Sequence, residues 1–303
     1  MGLPLRNGGI QVFKRSLVKD RVGNFFFVVP ALVFFCMFTI YPLFMTFYLS
    51  FFRWDGVSVH MTFIGFKNFV DAFSDGPFWQ SMLNSVFYAI LAMLIMNPLA
   101  LLLAVMVHSG VKFTRFYRVI YYIPPLMSAL VVGYLWKWMY EPYNGIINTV
   151  LDLIHLSGLK QVWLDNTYTV IPAISIASIW QGFGGSFILF WAGLEGINQE
   201  LYEAAEIDGT TNFQRFTKIT MPLLSNVFSV VTILTALGVI DMLPIVTAMT
   251  QGGPGYSSMV PTYQIYNMTF KWNRYGYAAT LSLIVGVTML IFSYIRLKIS
   301  KDN

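Results

Sequence analysis

Long apolar stretches alternate with short charged ones along this chain. No Lys, Arg, Asp or Glu falls between Arg21 and Arg53, between Asp75 and Lys112, or between Arg118 and Lys137. The same holds from Asp165 to Glu195, from Lys218 to Asp241 and from Arg274 to Arg296. A helix needs roughly 20 mostly apolar residues to cross the hydrocarbon layer of a bilayer. These stretches predict six crossings, at 24–52, 80–107, 119–140, 168–194, 222–249 and 275–295. Pro30, Pro42 and Pro98 lie inside them, which membrane helices tolerate better than soluble ones do. Ile146, Ile147, Val150, Leu151 and Ile154 recur at helical spacing outside the crossings. Asp152 and His155 interrupt that run, which predicts a helix lying in the membrane interface.

Composition agrees with the pattern. Of 303 residues, 56% are hydrophobic and only 11% charged, against about 25% charged in soluble domains. The net charge of +5 reflects orientation, because the basic residues flank apolar spans and form no stripe of the kind nucleic acid requires. With a cytoplasmic N-terminus and six crossings, 13 of the 19 Lys and Arg fall on the cytoplasmic side, as the positive-inside rule demands. The predicted fold is therefore an all-α integral membrane protein with six transmembrane helices and both termini cytoplasmic, in a bacterial-type inner membrane. A basic segment at 1–23 precedes a membrane domain at 24–295, and a cytoplasmic tail occupies 296–303. The only cysteine, Cys36, lies in the first span and has no intrachain partner. His60, His108 and His155 lack metal-ligand spacing. No GxxxxGK[ST] phosphate loop occurs, so neither a metal nor ATP is expected on this chain.

The loop between crossings four and five, at 195–222, holds Glu195, Glu200, Glu203, Glu206 and Asp208. Asn198 is suited to cap a short helix, with acidic residues favouring the positive end of its dipole. Gly209 is suited to end it. Ala204 and Ala205 leave one side flat enough for another protein's groove. Glu203, Ala204, Ala205, Asp208, Gly209, Gln214, Phe216, Ile219 and Pro222 resemble the EAA loop of ABC importer permeases. Met221 and Asn226 depart from the usual leucine and second proline of that motif.

Further stretches are similar to the carbohydrate-uptake members of that family, in a form trimmed relative to the larger maltose-importer permease. They include FIGFKNFVDAF at 63–73, YNGIINTVL at 143–151 and MTQGGPGYSS at 249–258. The resemblance implies a type I ABC importer permease fold and a loop that couples to ATPase subunits. It implies partners as well: a second homologous permease, two ATPase subunits carrying ATP and magnesium, and an extracellular or periplasmic solute-binding protein. This chain would be no enzyme itself. Its solute would be a sugar or oligosaccharide, the alternatives being glycerol phosphate or, outside the family, a secondary transporter.

Aligned on the same resemblance, the path for that solute would be lined by Gln181, Gly182, Gly185, Thr235, Gly238, Val239, Asp241 and Met242. Asp241 is the only acidic residue inside an expected crossing. It either accepts hydroxyl hydrogen bonds in the path or holds a helix end. The glycines around Gln181 serve either a ligand or helix packing, and Trp180 offers a face for a sugar ring. Trp54, Trp136, Trp138, Tyr140 and Trp272 suit the membrane interface.

Overall fold

The computed structural model describes residues 28–110 and 112–301. The basic lead-in at 1–23 and the start of the first crossing lie outside these residues. Four helices are long and apolar enough to span a membrane: α1 (Val28–Leu49), α3 (Gly76–His108), α7 (Val170–Glu195) and α13 (Tyr275–Lys301). Two further candidates are bent pairs. α4 (Thr114–Leu126) meets α5 (Ala129–Met139) at 94°, and α9 (Asn212–Leu223) meets α10 (Ser225–Ile240) at 67°. Shorter helices join them: α2 (Lys67–Phe73), α6 (Ile146–Leu153), α8 (Gln199–Ile207), α11 (Leu243–Met249) and α12 (Pro261–Tyr266). The β-structure among the described residues is one two-residue antiparallel ladder, β1 (Phe52–Arg53) with β2 (Thr62–Phe63).

Prolines shape the long helices without ending them. π-helical turns at Cys36–Ile40, Ala92–Met96 and Phe216–Thr220 each stand two residues before a proline, Pro42, Pro98 and Pro222. A proline has no N–H and its ring clashes with the carbonyl four residues back. A widened turn ahead of it makes room for the ring and keeps the helix going. α3 thus runs unbroken for 33 residues, about 50 Å at 1.5 Å per residue, which is longer than a hydrocarbon layer of about 30 Å.

The expected third crossing is broken instead. Pro124 and Pro125 close α4, and Met127 and Ser128 are extended, so α5 leaves at a right angle. The expected fifth crossing, 222–249, is also divided. It bends at Leu224 and stops at Ile240, and α11 begins at Leu243 after a two-residue break. Pro244 cannot supply an amide to continue the first helix. α11 instead packs on α5, where a Cβ on Gly133 would come within 2.6 Å of Ala248 Cβ. At the C-terminus, α13 continues through Lys301, so the expected tail from 296 onward extends a helix.

Three apolar cores hold the described residues together, one of them joining α2, α3 and α13 through Ala72, Phe78, Tyr277, Leu281 and Val285. α3, α7 and α10 share another near α8, built on Ala100, Ala104, Phe187, Phe190 and Val231. The third unites α3, α5, α7 and α11 through Tyr88, Val132, Ile174, Val246 and Met249. Trp136 and Tyr140 belong to that third core, being 9% and 3% exposed, so neither is the interface residue the sequence suggested. Tyr140 donates its hydroxyl hydrogen to the Ala173 carbonyl at 3.1 Å. Elsewhere large apolar side chains face outward. Phe34, Phe38, Phe44, Leu94, Leu290 and Tyr294 are all more than 60% exposed. No residue of the 28–49 helix is buried.

Buried asparagines tie down the loops at the end opposite α8. Asn68 donates to the Ser50 and Phe52 carbonyls at 2.8 and 3.0 Å. Asn84 donates to Tyr256 and Met259, and Asn148 to Pro142 and Gln161. Asp55 accepts from the Ser58 and Val57 amides and the Ser58 hydroxyl, which holds its carboxyl down to about 2.

Candidate functional site

Two places in this architecture gather the residues singled out in the sequence. The first is the 195–222 loop. Asn198 caps α8, its side-chain oxygen accepting from the Glu200 amide at 3.1 Å. At the other end Thr210 N donates to the Ala205 carbonyl and Gly209 N to Glu206. This is the paired closure of a Schellman ending. It places Gly209 at φ +72°, a left-handed conformation that glycine adopts without penalty. Thr211 and Gln214 then form a capping box for α9. Gln214 is thereby a structural residue of the turn.

Side-chain directions follow from these caps. Ala205 is 8% exposed and faces the bundle, and the Tyr202 hydroxyl meets Thr220 Oγ1 at 2.9 Å beneath it. The two alanines therefore do not share a flat face, since Ala204 points outward beside Glu203 and Asp208. Ile207 and Phe213 are 88% and 75% exposed. Phe216 packs on the α3–α7–α10 core, Ile219 is half-buried and Pro222 exposed. What protrudes is an acidic, partly apolar ridge, braced by the Arg215–Glu206 ion pair at 3.4 Å. Such a ridge is suited to a basic groove on another protein.

The second place is a cavity of about 400 Å³ along α7 and α10. Gln181, Gly182, Gly185, Thr235, Gly238 and Val239 all line it. Asp241 and Met242 do not. α10 ends at Ile240, so the helical row through 235, 238 and 239 is not continued. Met242 turns into the core at 4% exposure, and Asp241 stands exposed at the helix end with no side-chain hydrogen bond among the described residues. Trp180 packs at a steep angle against Trp136, centroids 6.0 Å apart, and is not among the residues that line the cavity.

The cavity adjoins the break after α4, and Pro125 lines it. A helix end leaves carbonyls without partners, and Gln181 Nε2 serves one of them by donating to Met127 O at 2.9 Å. Gln181 thus has a structural bond and an oxygen to spare. Thr235 Oγ1 donates within the protein, toward Val231 O at 2.8 Å and Asn97 Oδ1 at 3.0 Å, leaving a lone pair as acceptor. Ser178 and Ser186 complete the neutral polar lining. Amides and hydroxyls without charge are matched to hydroxyl groups of a neutral solute.

The glycines separate by what surrounds them. A Cβ on Gly184 would run into the Tyr121 carbonyl oxygen, so this glycine brings α4 against α7. A Cβ on Gly185 or Gly238 would meet nothing within 4 Å. Glycine inside a helix is less favourable than alanine by about 0.5–1 kcal/mol, and at these two positions no contact within the chain requires it.

Ser178, Ser186 and Leu189 were missed in the sequence although they lie at helical spacing from Gln181, Gly182 and Gly185. Extending the 3–4 row along α7 recovers all of them. Ala92 and Met96 from α3 gave no signal, because their position depends on a π turn.

Residues 96–300 match the model of the binding-protein-dependent transport system inner membrane component family. The chain belongs to that family, the permease subunits of ABC transporters. It is 32% identical over 287 residues to probable ABC transporter permease protein YurN of Bacillus subtilis, covering 94% of this chain and 98% of that one. It is 30% identical to the diacetylchitobiose uptake system permease protein NgcF of Streptomyces coelicolor, over 96% of this chain and 85% of the other. Its fold is that of a chain in a bacterial ABC transporter involved in the import of the acidic polysaccharide alginate. There the TM-score is 0.81 at 22% identity, with 96% and 99% of the two chains covered.

Proposed function

We propose that this chain is one of two permease halves of an ATP-driven importer for a neutral saccharide. In this reading it crosses the inner membrane six times, each bent pair counting as one crossing, with both termini in the cytoplasm. The charge asymmetry of the loops supports that orientation. α8 docks on an ATPase subunit, with Glu203 and Asp208 facing cations of its groove and Ile207 entering it. ATP and magnesium act on the two ATPase subunits and none on this chain. A solute-binding protein delivers the saccharide to the opposite end, and the cavity between α7 and α10 forms one wall of the path. The name of the relative NgcF and the neutral lining of the cavity support a sugar as cargo.

The observation that carries the reading is α8 itself. It is a helix closed by caps at both ends whose outer side stays exposed, with Ile207 at 88%. Purification of the tagged chain in mild detergent should recover a second permease and ATPase subunits. Glu203→Lys should abolish solute-stimulated ATP hydrolysis in the reconstituted complex while the chain still inserts, because reversal sets like charges together. Undiminished stimulation in that variant removes α8 from the coupling role.

A further inference from the structure

We infer that Gly185 and Gly238 set the bore of the cavity and thereby select which neutral saccharides pass. The inference rests on the saccharide reading above and deepens it. Both glycines sit in long helices, where alanine would be the more stable choice, and neither is needed for packing within the chain. Their neighbour Gly184 shows the contrast, since it is required by the Tyr121 backbone. What the two missing side chains leave is width in the cavity that both residues line.

That space is also chemically prepared. Ser186, at 8% exposure, lines the cavity, and no described residue bonds its hydroxyl, so it is open to donate and to accept. Thr235, at 6% exposure, has its proton engaged toward Val231 and Asn97 and presents a lone pair. Gln181, its Nε2 held by Met127, adds an amide oxygen. A pyranose presents hydroxyls in a ring whose girth, more than its charge, decides whether it clears such a wall. Side chains at 185 and 238 would therefore discriminate by the size of the sugar and its substituents.

The test is uptake of radiolabelled chito- and malto-oligosaccharides, from the disaccharide upward, by vesicles holding the complete importer purified from its source cells. Gly185→Leu and Gly238→Leu should lower uptake of the bulkiest saccharide carried, relative to the smallest, by about tenfold or more. The amount of assembled complex should be unchanged. Gly184→Ala should instead reduce the assembled complex for every solute alike. In a Cys36→Ser background, Gly185→Cys should react with a small methanethiosulfonate and resist a bulky maleimide. An unchanged size ratio in both leucine variants overturns the inference. So does an equal loss for all sizes with less complex recovered, which assigns the glycines to the seat of the second permease. If the wild-type complex carries no saccharide of either series, the saccharide reading itself fails, and that outcome is distinct from both.

Discussion

Asn84 donates to the Tyr256 and Met259 carbonyls from a position 1% exposed, joining α3 to the 250–260 loop. Replacing it by leucine leaves the buried Met259 carbonyl without this donor, at about 1–3 kcal/mol, and releases the part-buried Tyr256 carbonyl as well. Asn84→Leu is therefore expected to lower the unfolding midpoint of the detergent-solubilised protein clearly, and an unshifted midpoint would mean that water replaces the amide. Asp241 behaves differently, because its carboxylate is exposed and lies off the cavity lining. Asp241→Leu should leave the amount of assembled complex intact. Transport per complex then reports whether the solute touches it: Asp241→Asn retaining transport while Asp241→Leu loses it places the residue on the path. Normal transport in both variants removes it.

At the level of elements, the breaks matter more than the helices. α4 stops at Pro124-Pro125, and Pro125 lines the cavity together with small side chains of α7 and α10. Irregular backbone is tolerated at membrane depth only where it meets protein or a cavity. The apolar periods revealed where helices run, and the cap residues Asn198 and Gly209 marked both ends of α8. Neither signal could reveal the break at Asp241. Hydropathy continues through Leu243 to Met249, and the residue that marks the break is Pro244, which has no amide to continue α10. The burial of Trp136 and Tyr140 was hidden for a similar reason, since a bend of 94° moves a span end into the core. The turn after α8 is testable on its own. Gly209→Val places a β-branched residue at φ +72°, a strain of about 1–3 kcal/mol. The variant should co-purify with less ATPase subunit than the wild type, and equal recovery would count against the Schellman ending.

At the scale of the whole molecule, the acidic ridge of α8 and the asparagine-tied loops lie at opposite ends of the bundle, with the cavity between them. Cysteines placed at Ser157 and Thr211 in a Cys36→Ser background should differ in labelling by an impermeant maleimide. Ser157→Cys should label in intact spheroplasts and Thr211→Cys only after permeabilisation. The reverse pattern inverts the topology. The most direct test of the account is solute accumulation by vesicles containing this chain, its second permease, the two ATPase subunits and the binding protein. The account predicts uptake of a neutral saccharide that requires ATP and the binding protein together and is lost in Glu203→Lys. Uptake driven by an ion gradient with the ATPase subunits left out would contradict it.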